Sequence, residues 1–196
     1  MEPITLTTPR LLLRPFAPSD ADAVYAACQD PDIPRWTTVP SPYTHEHART
    51  FVEQVCAEGW RGDASYNLAV TRREDGALVG AMGLVRLQLG DPARQAELGY
   101  WTAKEHRGRG YTAEAGSALS EWAFRELGVE RLEWLAEVGN EGSRAVARRI
   151  GFTMEGTLRA HVARTTTRRD AWIGSLLPTD VGVSLPSGRQ YLPSEA

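Results

Sequence analysis

The chain has 196 residues and a formal net charge of −3, with 42% hydrophobic and 24% charged residues, which is typical of one globular domain and argues against broad nucleic-acid binding. Its two cysteines, Cys28 and Cys56, lie in helical patterns, so the sequence predicts buried side chains rather than a disulfide framework. No signal-peptide pattern and no apolar run of membrane-spanning length is visible, so we expect a cytoplasmic protein with no membrane partner.

The first sixty residues predict one strand followed by two helices. An apolar run centred on Leu12 forms the strand, and a side chain that can accept backbone hydrogen bonds precedes each helical pattern. Four prolines between the two helices predict a loop. In chain order we expect a strand over 4–15, a helix over 21–28 with Ser19 as its N-cap, a loop over 30–42, and a helix that Thr44 caps and Gly59 ends.

An antiparallel meander of three strands is predicted next. Residues 66–70 alternate as in a strand, and the Asp75-Gly76 pair is typical of a hairpin turn. The returning strand spans 78–87, and a second turn leads to a strand over 96–101.

The rest of the chain alternates helices with strands. A long helical pattern follows Gly110, ends near Gly128, and joins the strand 96–101 to a strand over 131–138. Two strands joined in this way should be parallel neighbours with a right-handed crossover. The closing elements are a helix over 144–150 with Ser143 as a candidate N-cap and Gly151 after it, and strands over 152–159 and 170–177.

The predicted fold class is therefore α/β, of the α+β kind. We expect a mixed central sheet of about seven strands with about four helices, in one domain over residues 1–182. Residues 183–196 are rich in Pro and Ser, and we expect them to form a flexible tail.

The most informative stretch is a basic, glycine-rich turn between the strand 96–101 and the long helix. It reads Arg107-Gly108-Arg109-Gly110-Tyr111-Thr112. The backbone N–H groups of such a turn point outward at a helix N-terminus, where the helix dipole adds partial positive charge, so the turn predicts a phosphate site. A P-loop would need Lys followed by Ser or Thr after the last Gly, and a dinucleotide fingerprint would need Gly where the chain has Ala113.

At this turn the chain resembles the GNAT (GCN5-related N-acetyltransferase) family, whose motif Gln/Arg-x-x-Gly-x-Gly/Ala opens a helix directly after a strand. Thr112 departs from the motif, because it stands where the family has Gly or Ala. The chain is most similar to the RimJ/RimL-type branch, which acetylates the N-termini of ribosomal proteins. This similarity covers residues from about 5 to 180 and is carried by Thr8-Pro9-Arg10-Leu11-Leu12-Leu13-Arg14-Pro15, Pro42-Tyr43-Thr44, Glu97-Leu98-Gly99-Tyr100-Trp101, Asn140 with Ser143, and Gly151-Phe152 followed by Glu155-Gly156.

The resemblance implies a GNAT fold in which two central parallel strands splay apart, with acetyl-CoA or a related acyl-CoA as co-substrate. The four histidines show no metal-ligand spacing with cysteines or carboxylates, so we expect no metal. The amides of residues 107–112 would hold the CoA pyrophosphate, and the pantetheine arm would pair with the backbone of Trp101 and Thr102. An amide near Tyr100 would polarise the thioester carbonyl. Asn140 would hydrogen-bond the arm, or serve only as a turn residue.

Acyl transfer to an amine needs a neutral amine, a stabilised oxyanion and a protonated thiolate. By resemblance, Glu97 is the candidate general base, and Ser143, near the CoA sulfur, is the candidate general acid. Two alternatives stay open at this point: Glu97 as an ion-pair partner of an arginine near the cleft, such as Arg94 or Arg107, and Ser143 as the helix N-cap.

The sequence therefore predicts an acyl-CoA-dependent N-acyltransferase that moves an acetyl group directly to a primary amine in a ternary complex. Trp36 and Tyr43 lie in the Pro-rich loop that should form the acceptor-side wall, with packing in a satellite core as the alternative. The acceptor would be a protein N-terminus, such as that of a ribosomal protein, or a small amine such as an antibiotic. The alternative from another class is a non-catalytic acyl-CoA-binding regulatory module. The resemblance is also compatible with a homodimer, and we expect no direct nucleic-acid binding.

Overall fold

The computed structural model describes residues 1–184, 189, 191 and 192, which form an eight-stranded mixed sheet with α-helices packed against it. The strand order is β1-β2-β3-β4-β5-β6-β8-β7, antiparallel except for the parallel pair β5–β6. This confirms the predicted mixed sheet with its meander and its parallel neighbours. The elements are β1 (Leu6–Thr7), β2 (Leu11–Arg14), α1 (Ala21–Ala27), α2 (Asp32–Trp36), α3 (His45–Thr50), α4 (Cys56–Arg61), β3 (Tyr66–Arg72), β4 (Leu78–Gln88), β5 (Gln95–Thr102), α5 (Tyr111–Arg125), β6 (Arg131–Glu137), α6 (Glu141–Ile150), β7 (Thr153–Ala163) and β8 (Arg168–Leu176).

The predicted first strand is in fact two strands, because the chain turns back after Thr8. Thr8 N–H donates to Leu11 O at 2.9 Å, and Leu11 N–H donates to Thr8 Oγ1 at 3.0 Å. Pro9 has no N–H to contribute to a continuing strand. β1 and β2 therefore pair antiparallel, with Leu6 opposite Leu13, and the sheet has eight strands rather than about seven.

The prediction for the first helix and for the loop after it is wrong in two details. Ser19 does not cap α1, because it lies inside a 3-10 turn, Pro18–Asp20, in which the Asp20 carboxylate accepts from Ala17 N–H at 2.8 Å. The Pro-rich stretch contains the short helix α2, with Pro34 in its first turn. A first-turn proline is tolerated because N–H groups there have no intrahelical partner to lose.

The second helix begins as predicted and ends later than predicted. The Thr44 side chain accepts from His47 N–H at 3.2 Å, so Thr44 is its N-cap. The helix continues from α3 through a π-helical turn, Phe51–Val55, into α4. Gly59 lies within α4, where an added Cβ would come 2.4 Å from Ser65 Oγ, so this glycine allows a close contact rather than ending the helix.

Two clusters of buried side chains form the core. The larger one joins the sheet to α5 and α6 and includes the fully buried Phe124 and Trp134. The smaller one lies around α1 and α3, and Trp101 of β5 packs against it. Burial of each large apolar side chain contributes about 1.5–3 kcal/mol, so the two clusters hold the helices in fixed positions around the sheet.

The end of the chain is only partly described. Val183 is buried in the larger cluster, and Arg189 pairs with Glu130 at 3.2 Å and with Asp91. Most of the predicted flexible tail, residues 185–188, 190 and 193–196, lies outside the described residues, so the domain boundary at 182 stays a prediction. In the described ranges, no helix is both long and apolar enough to cross a membrane.

Candidate functional site

A gap opens between the two parallel strands at the centre of the sheet. β5 and β6 pair over three residues, from Gln95–Arg131 to Glu97–Glu133. Beyond Glu97, β5 continues to Thr102, and within the described residues its pairing partner there is β4 alone. The carboxyl-terminal half of β5 therefore has a free edge, and ligands of open α/β sheets bind at such carboxyl ends of strands.

The backbone of β5 presents polar groups to this gap at every second residue. Ala103 N–H donates to Val79 O at 2.9 Å, and the pairing with β4 continues without a shift along this part of β5. Successive peptide groups of a strand point in opposite directions. Tyr100 and Thr102 therefore direct their backbone groups away from β4, and Thr102 O accepts from Arg107 Nε at 3.1 Å. Trp101, which the sequence also nominated, directs its own backbone groups toward β4.

The glycine-rich turn follows directly on β5 and opens α5. Gly108 and Gly110 have φ values of 74° and 79°, a left-handed conformation that glycine adopts at little cost. The first backbone hydrogen bond of the helix runs from Glu114 N–H to Gly110 O at 3.1 Å. The amides of residues 111–113 precede that bond, so they have the orientation that binds anions at helix N-termini.

Two arginines from distant parts of the chain lie beside this turn. Arg10 donates to Arg109 O at 3.0 Å and to the Glu114 carboxylate at 2.6 Å. A Cβ added at Gly110 would lie 3.6 Å from Arg10 Nη2 and 3.7 Å from Arg149 Cζ. Sequence reasoning did not assign Arg10 to the turn, because 99 residues separate it from Arg109. The one available indication was the Thr8-Pro9-Arg10 segment that carries the family resemblance.

Three side chains of the turn contact other parts of the protein. The Tyr111 ring lies under the Arg10 guanidinium, whose Cζ is 4.6 Å from the ring centroid. Thr112 Oγ1 lies 2.7 Å from Thr102 Oγ1, so the residue that departs from the family motif bonds to the end of β5. Arg107 pairs with Asp30 at 2.5 Å and with Asp32 at 3.2 Å, which ties the turn to the segment that contains α2. The alternative in which Arg107 is the ion-pair partner of Glu97 is therefore wrong.

Glu97 lies at the closed end of the gap, where β5 and β6 part. Its Oε2 is 3.1 Å from Arg86 Nη1, and Arg94 binds Asp91 at 2.8 Å instead of Glu97. Burial raises the pKa of the Glu97 carboxyl, Arg86 opposes this rise, and Glu133 adds to it. A carboxyl whose pKa is raised toward neutrality is better suited to general base work than a solvated one.

Ser143 and Tyr100 contact each other across the gap. The Ser143 hydroxyl donates to Tyr100 Oη at 3.1 Å and accepts from Trp134 Nε1 at 3.0 Å, while the Tyr100 hydroxyl donates to Ser143 O at 2.9 Å. Burial raises the pKa of Tyr100 to about 12, so its hydroxyl keeps its proton. The sequence pointed to the amide of Tyr100 but gave no indication that its side chain reaches Ser143.

Asn140, rather than Ser143, caps α6. Its Oδ1 accepts from Ser143 N–H at 3.2 Å, and the helix begins at Glu141. The alternative in which Ser143 is the N-cap of a helix over 144–150 is therefore wrong. Capping by Asn140 fixes Ser143 in the first turn of α6, with its hydroxyl toward Tyr100.

The two predicted acceptor-side aromatic residues lie in different surroundings. Trp36 ends α2 under the guanidinium of Arg35, 4.0 Å from the ring centroid, and lies 3.7 Å from the position of a Cβ on Gly139. It therefore stands between α2 and the loop that leads to Asn140. Tyr43 packs in the smaller core cluster, where burial raises its pKa and its hydroxyl interacts with the Cys28 thiol.

A buried carboxylate holds the α2 segment against the sheet. Glu137, at the end of β6, accepts from Arg35 at 2.8 Å and from Arg164 at 3.3 Å. Arg164 also donates to Thr37 O at 3.1 Å. The Arg35 guanidinium holds the pKa of Glu137 below its usual range, and Arg164 adds to this effect. This clamp was not predicted, because its members are far apart in the sequence.

The fold and the site together define a class of protein. The model of the Acetyltransferase (GNAT) domain family matches residues 10–153. The chain belongs to this family, as the sequence predicts, and it is an N-acetyltransferase.

Individual relatives agree with this assignment. An uncharacterized N-acetyltransferase of Bacillus subtilis (strain 168), YoaA, is 28% identical over 172 residues, which are 88% of this chain and 96% of that protein. A putative ribosomal N-acetyltransferase of the same organism, YdaF, is 47% identical over 85 residues, 43% of this chain and 45% of that protein. RimJ of Mycobacterium smegmatis, solved in complex with CoA-disulfide, has a TM-score of 0.80 and 22% identity, and the match covers 94% of each chain. This likeness confirms the predicted GNAT fold.

Proposed function

We propose that this protein transfers an acetyl group from acetyl-CoA directly to a primary amine while both substrates are bound. The observation that carries the proposal is the position of Glu97, a half-buried carboxylate on the same strand that leads into the phosphate-binding turn. Because the base and the donor site lie on one strand, an amine beside Glu97 can reach a thioester held along the rest of β5.

The donor would lie along the free edge of β5. In the turn 107–112, the amides from Gly108 onward would bind the pyrophosphate, because the Arg107 N–H already donates to Lys104 O at 3.3 Å. Arg10 and Arg149 add positive charge beside them. The backbone groups of Thr102 and Tyr100 would pair with the pantetheine arm, and the Tyr100 amide would stabilise the oxyanion. Asn140 has its Oδ1 engaged in the cap, so its amide nitrogen is the group left to contact the arm.

Ser143 is the proposed proton donor to the CoA thiolate. Its hydroxyl points into the gap beside Tyr100, whose raised pKa keeps a second proton in the same place. The Tyr100 hydroxyl donates to Ser143 O and accepts from the Ser143 hydroxyl, so Tyr100 positions Ser143 and does not supply a second proton. After the transfer Ser143 regains a proton from water, while Tyr100 keeps its own because burial raises its pKa to about 12.

The acceptor would approach past α2, with Trp36 on the wall of its path. The partial match to a putative ribosomal N-acetyltransferase supports a protein N-terminus as the acceptor. Such a terminus is a primary amine on an extended peptide, and it has to become neutral before it attacks the thioester.

Thiol release from acetyl-CoA, measured with a panel of N-terminal peptides and small amines, tests this function. We expect release with at least one peptide, and a loss of about 100-fold or more in kcat for Glu97→Gln. The base must be ionised, so kcat/KM should fall as the pH drops through the pKa of Glu97. Because that pKa is raised, the fall should begin above the ordinary carboxyl value of about 4.3.

Glu133→Gln is the matched control, since Glu133 pairs directly with Glu97 across the two strands. The Glu133→Gln variant should still lose kcat/KM at acidic pH. The loss should occur at slightly lower pH, because removal of the neighbouring negative charge lowers the pKa of Glu97. CoA binding without release by any acceptor would contradict the proposed enzyme and favour a binding module. An unchanged pH profile in Glu97→Gln would contradict the role of Glu97 alone.

A further inference from the structure

Arg86 stands at an irregularity of β4 directly beside Glu97. Val85 is paired with Glu97, and the register of β4 against β5 shifts between Val85 and Gln88. Arg86 has a φ of 51°, a left-handed conformation that is uncommon outside glycine. A strained residue next to a reactive group is a reason to look for a role of that residue in function.

The contact between Arg86 and Glu97 is an ion pair without a hydrogen bond. Arg86 Nη1 and Glu97 Oε2 are 3.1 Å apart, yet Oε2 is buried and has no hydrogen-bond donor. The Arg86 side chain is 66% exposed, whereas that of Glu97 is 16% exposed. The Arg86 guanidinium can therefore move into solvent while the Glu97 carboxylate stays buried. Glu97 Oε2 can then accept a hydrogen bond from another N–H donor.

The other charged groups around Glu97 are already paired with one another. Glu133 on β6 faces Glu97, and its carboxylate accepts from Arg131 Nε at 3.1 Å. Arg131 also binds Glu155 at 2.7 Å. Among the described residues, Arg86 is thus the cation in direct contact with Glu97, and Glu133 is the anion nearest to it.

We propose that Arg86 is an exchangeable counter-ion, which the ammonium group of the acceptor replaces at Glu97, so that the site selects amines that arrive protonated. This inference rests on the proposed function and goes further, since it names the charge state of the acceptor and a residue that determines it. A neutral amine would bind less tightly beside Glu97, because only a cation can replace the positive charge of Arg86.

The exchange also balances the proton transfer. The ammonium gives one proton to the Glu97 carboxylate, so an N–H bond breaks and an O–H bond forms. The neutral amine then attacks the thioester, forming a C–N bond as the C–S bond breaks. The new amide nitrogen loses its second proton, which balances the proton that the thiolate takes up from Ser143. Arg86, displaced into solvent, no longer opposes protonation of Glu97, which later returns its proton to water.

Carbon-13 NMR titration of the Glu97 carboxyl tests the ion pair without any acceptor, with the resonance assigned by its loss in Glu97→Gln. Arg86→Gln should raise the pKa of Glu97 by about half a unit to one unit, since an opposite charge at this distance lowers a carboxyl pKa and exposure weakens the effect. Arg86→Lys keeps a positive charge at this position, so the pKa of Glu97 in this variant should stay close to its value in the unaltered protein. Arg125→Gln, which removes another exposed arginine paired with a glutamate, should leave the pKa unchanged.

The exchange itself is tested with ethylammonium chloride, compared with sodium chloride at equal ionic strength. Ethylammonium should shift the Glu97 resonance with saturation, and half-saturation should come at a several-fold lower concentration in Arg86→Gln than in the unaltered protein or in Arg125→Gln. An unchanged pKa in Arg86→Gln, or equal half-saturation in all three proteins, would overturn the proposal. Ethylammonium binding without acetyl transfer in the peptide panel would instead contradict the proposed function and leave the exchange at Glu97 standing.

Discussion

At the scale of single residues, the hydroxyl of Ser143 is the most constrained group of the site. It joins Tyr100 to the indole of Trp134, which is 1% exposed and has this hydroxyl as its acceptor. The Ser143 hydroxyl is therefore held by the fold, and its proposed role as proton donor has to be tested separately from its role in stability. A buried donor left without its acceptor costs about 1–3 kcal/mol, so a structural role and a catalytic role can be separated only by measuring both.

Ser143→Ala should lower the free energy of unfolding by about 1–3 kcal/mol, because the Trp134 N–H loses its acceptor. It should also lower kcat by about tenfold or more if Ser143 protonates the thiolate. Denaturant unfolding and steady-state kinetics check the two effects. Ser117→Ala, an exposed serine on α5, is the control and should change neither. A loss of stability with an unchanged kcat would show that Ser143 has a structural role only.

At the scale of elements, the Glu137 clamp fixes α2 beside the gap. The two arginines that bind Glu137 come from α2 itself and from the connection between β7 and β8, so one carboxylate joins three parts of the chain. Both arginines reach solvent, so the loss on breaking the clamp should be smaller than for a fully buried pair.

Glu137→Gln should lower the free energy of unfolding by about 1–2 kcal/mol and speed amide hydrogen exchange in α2. The pKa of Glu137 is lowered on folding, so its contribution is present above the ordinary carboxyl pKa and is lost as the pH falls through the lower folded value. The difference from the unaltered protein should therefore begin to shrink as the pH falls below about 4.3, and it should vanish only below the folded pKa of Glu137. Glu141→Gln, which breaks an exposed pair with Arg144, should show little difference at any pH.

Local signals made much of the element order predictable. The cap at Thr44, the Asp75-Gly76 hairpin and the C-terminal glycine of α6, Gly151, depend on a few adjacent residues, and the sequence shows all of them. Gly59 and Ser19 misled the prediction, because a glycine can serve a close contact and a serine can lie in a turn. Only the folded chain decides between those uses.

The residues of the candidate site were predictable along β5, in the turn and at the start of α6, but the contacts between these segments were not. Glu97, Tyr100 and Gly110 lie on one continuous stretch whose motif is visible in the sequence. The contacts of Arg86 with Glu97 and of Arg10 with Arg109 depend on strand pairing and on helix placement. A single sequence does not show which distant residues pair. The positive charges beside Glu97 and beside the turn were therefore found only in the structure.

At the scale of the whole molecule, the pairing of β4 with β5 supports both the core and the donor site. A Cβ added at Gly80 would lie 2.1 Å from Trp101 O and 3.0 Å from Thr102 Cα. Both atoms belong to the backbone of β5, so neither can rotate away. At Gly99, by contrast, the nearest atom to an added Cβ is Val85 Cγ2 at 4.0 Å.

Gly80→Ala should therefore lower the free energy of unfolding by about 3 kcal/mol or more, because the two strands must part to admit the methyl group. For a chain of this size the melting temperature should fall by roughly 6–12 °C. Gly99→Ala is the matched control and should melt close to the unaltered protein, as calorimetry can measure. Equal melting temperatures for the two variants would contradict the close approach of β4 and β5 at Gly80.

The donor site depends on binding of the CoA pyrophosphate by the turn after β5, and calorimetric titration with CoA measures this binding. Gly110→Asp places a carboxylate among the amides and the two arginines of the site, whereas Gly76→Asp changes a glycine of nearly equal φ, 75°, in a distant hairpin with open space around it. We expect the Kd for CoA to rise by about tenfold or more, a loss of about 1.4 kcal/mol, in Gly110→Asp and to stay unchanged in Gly76→Asp. Equal affinity for CoA in the two variants and in the unaltered protein would contradict the account.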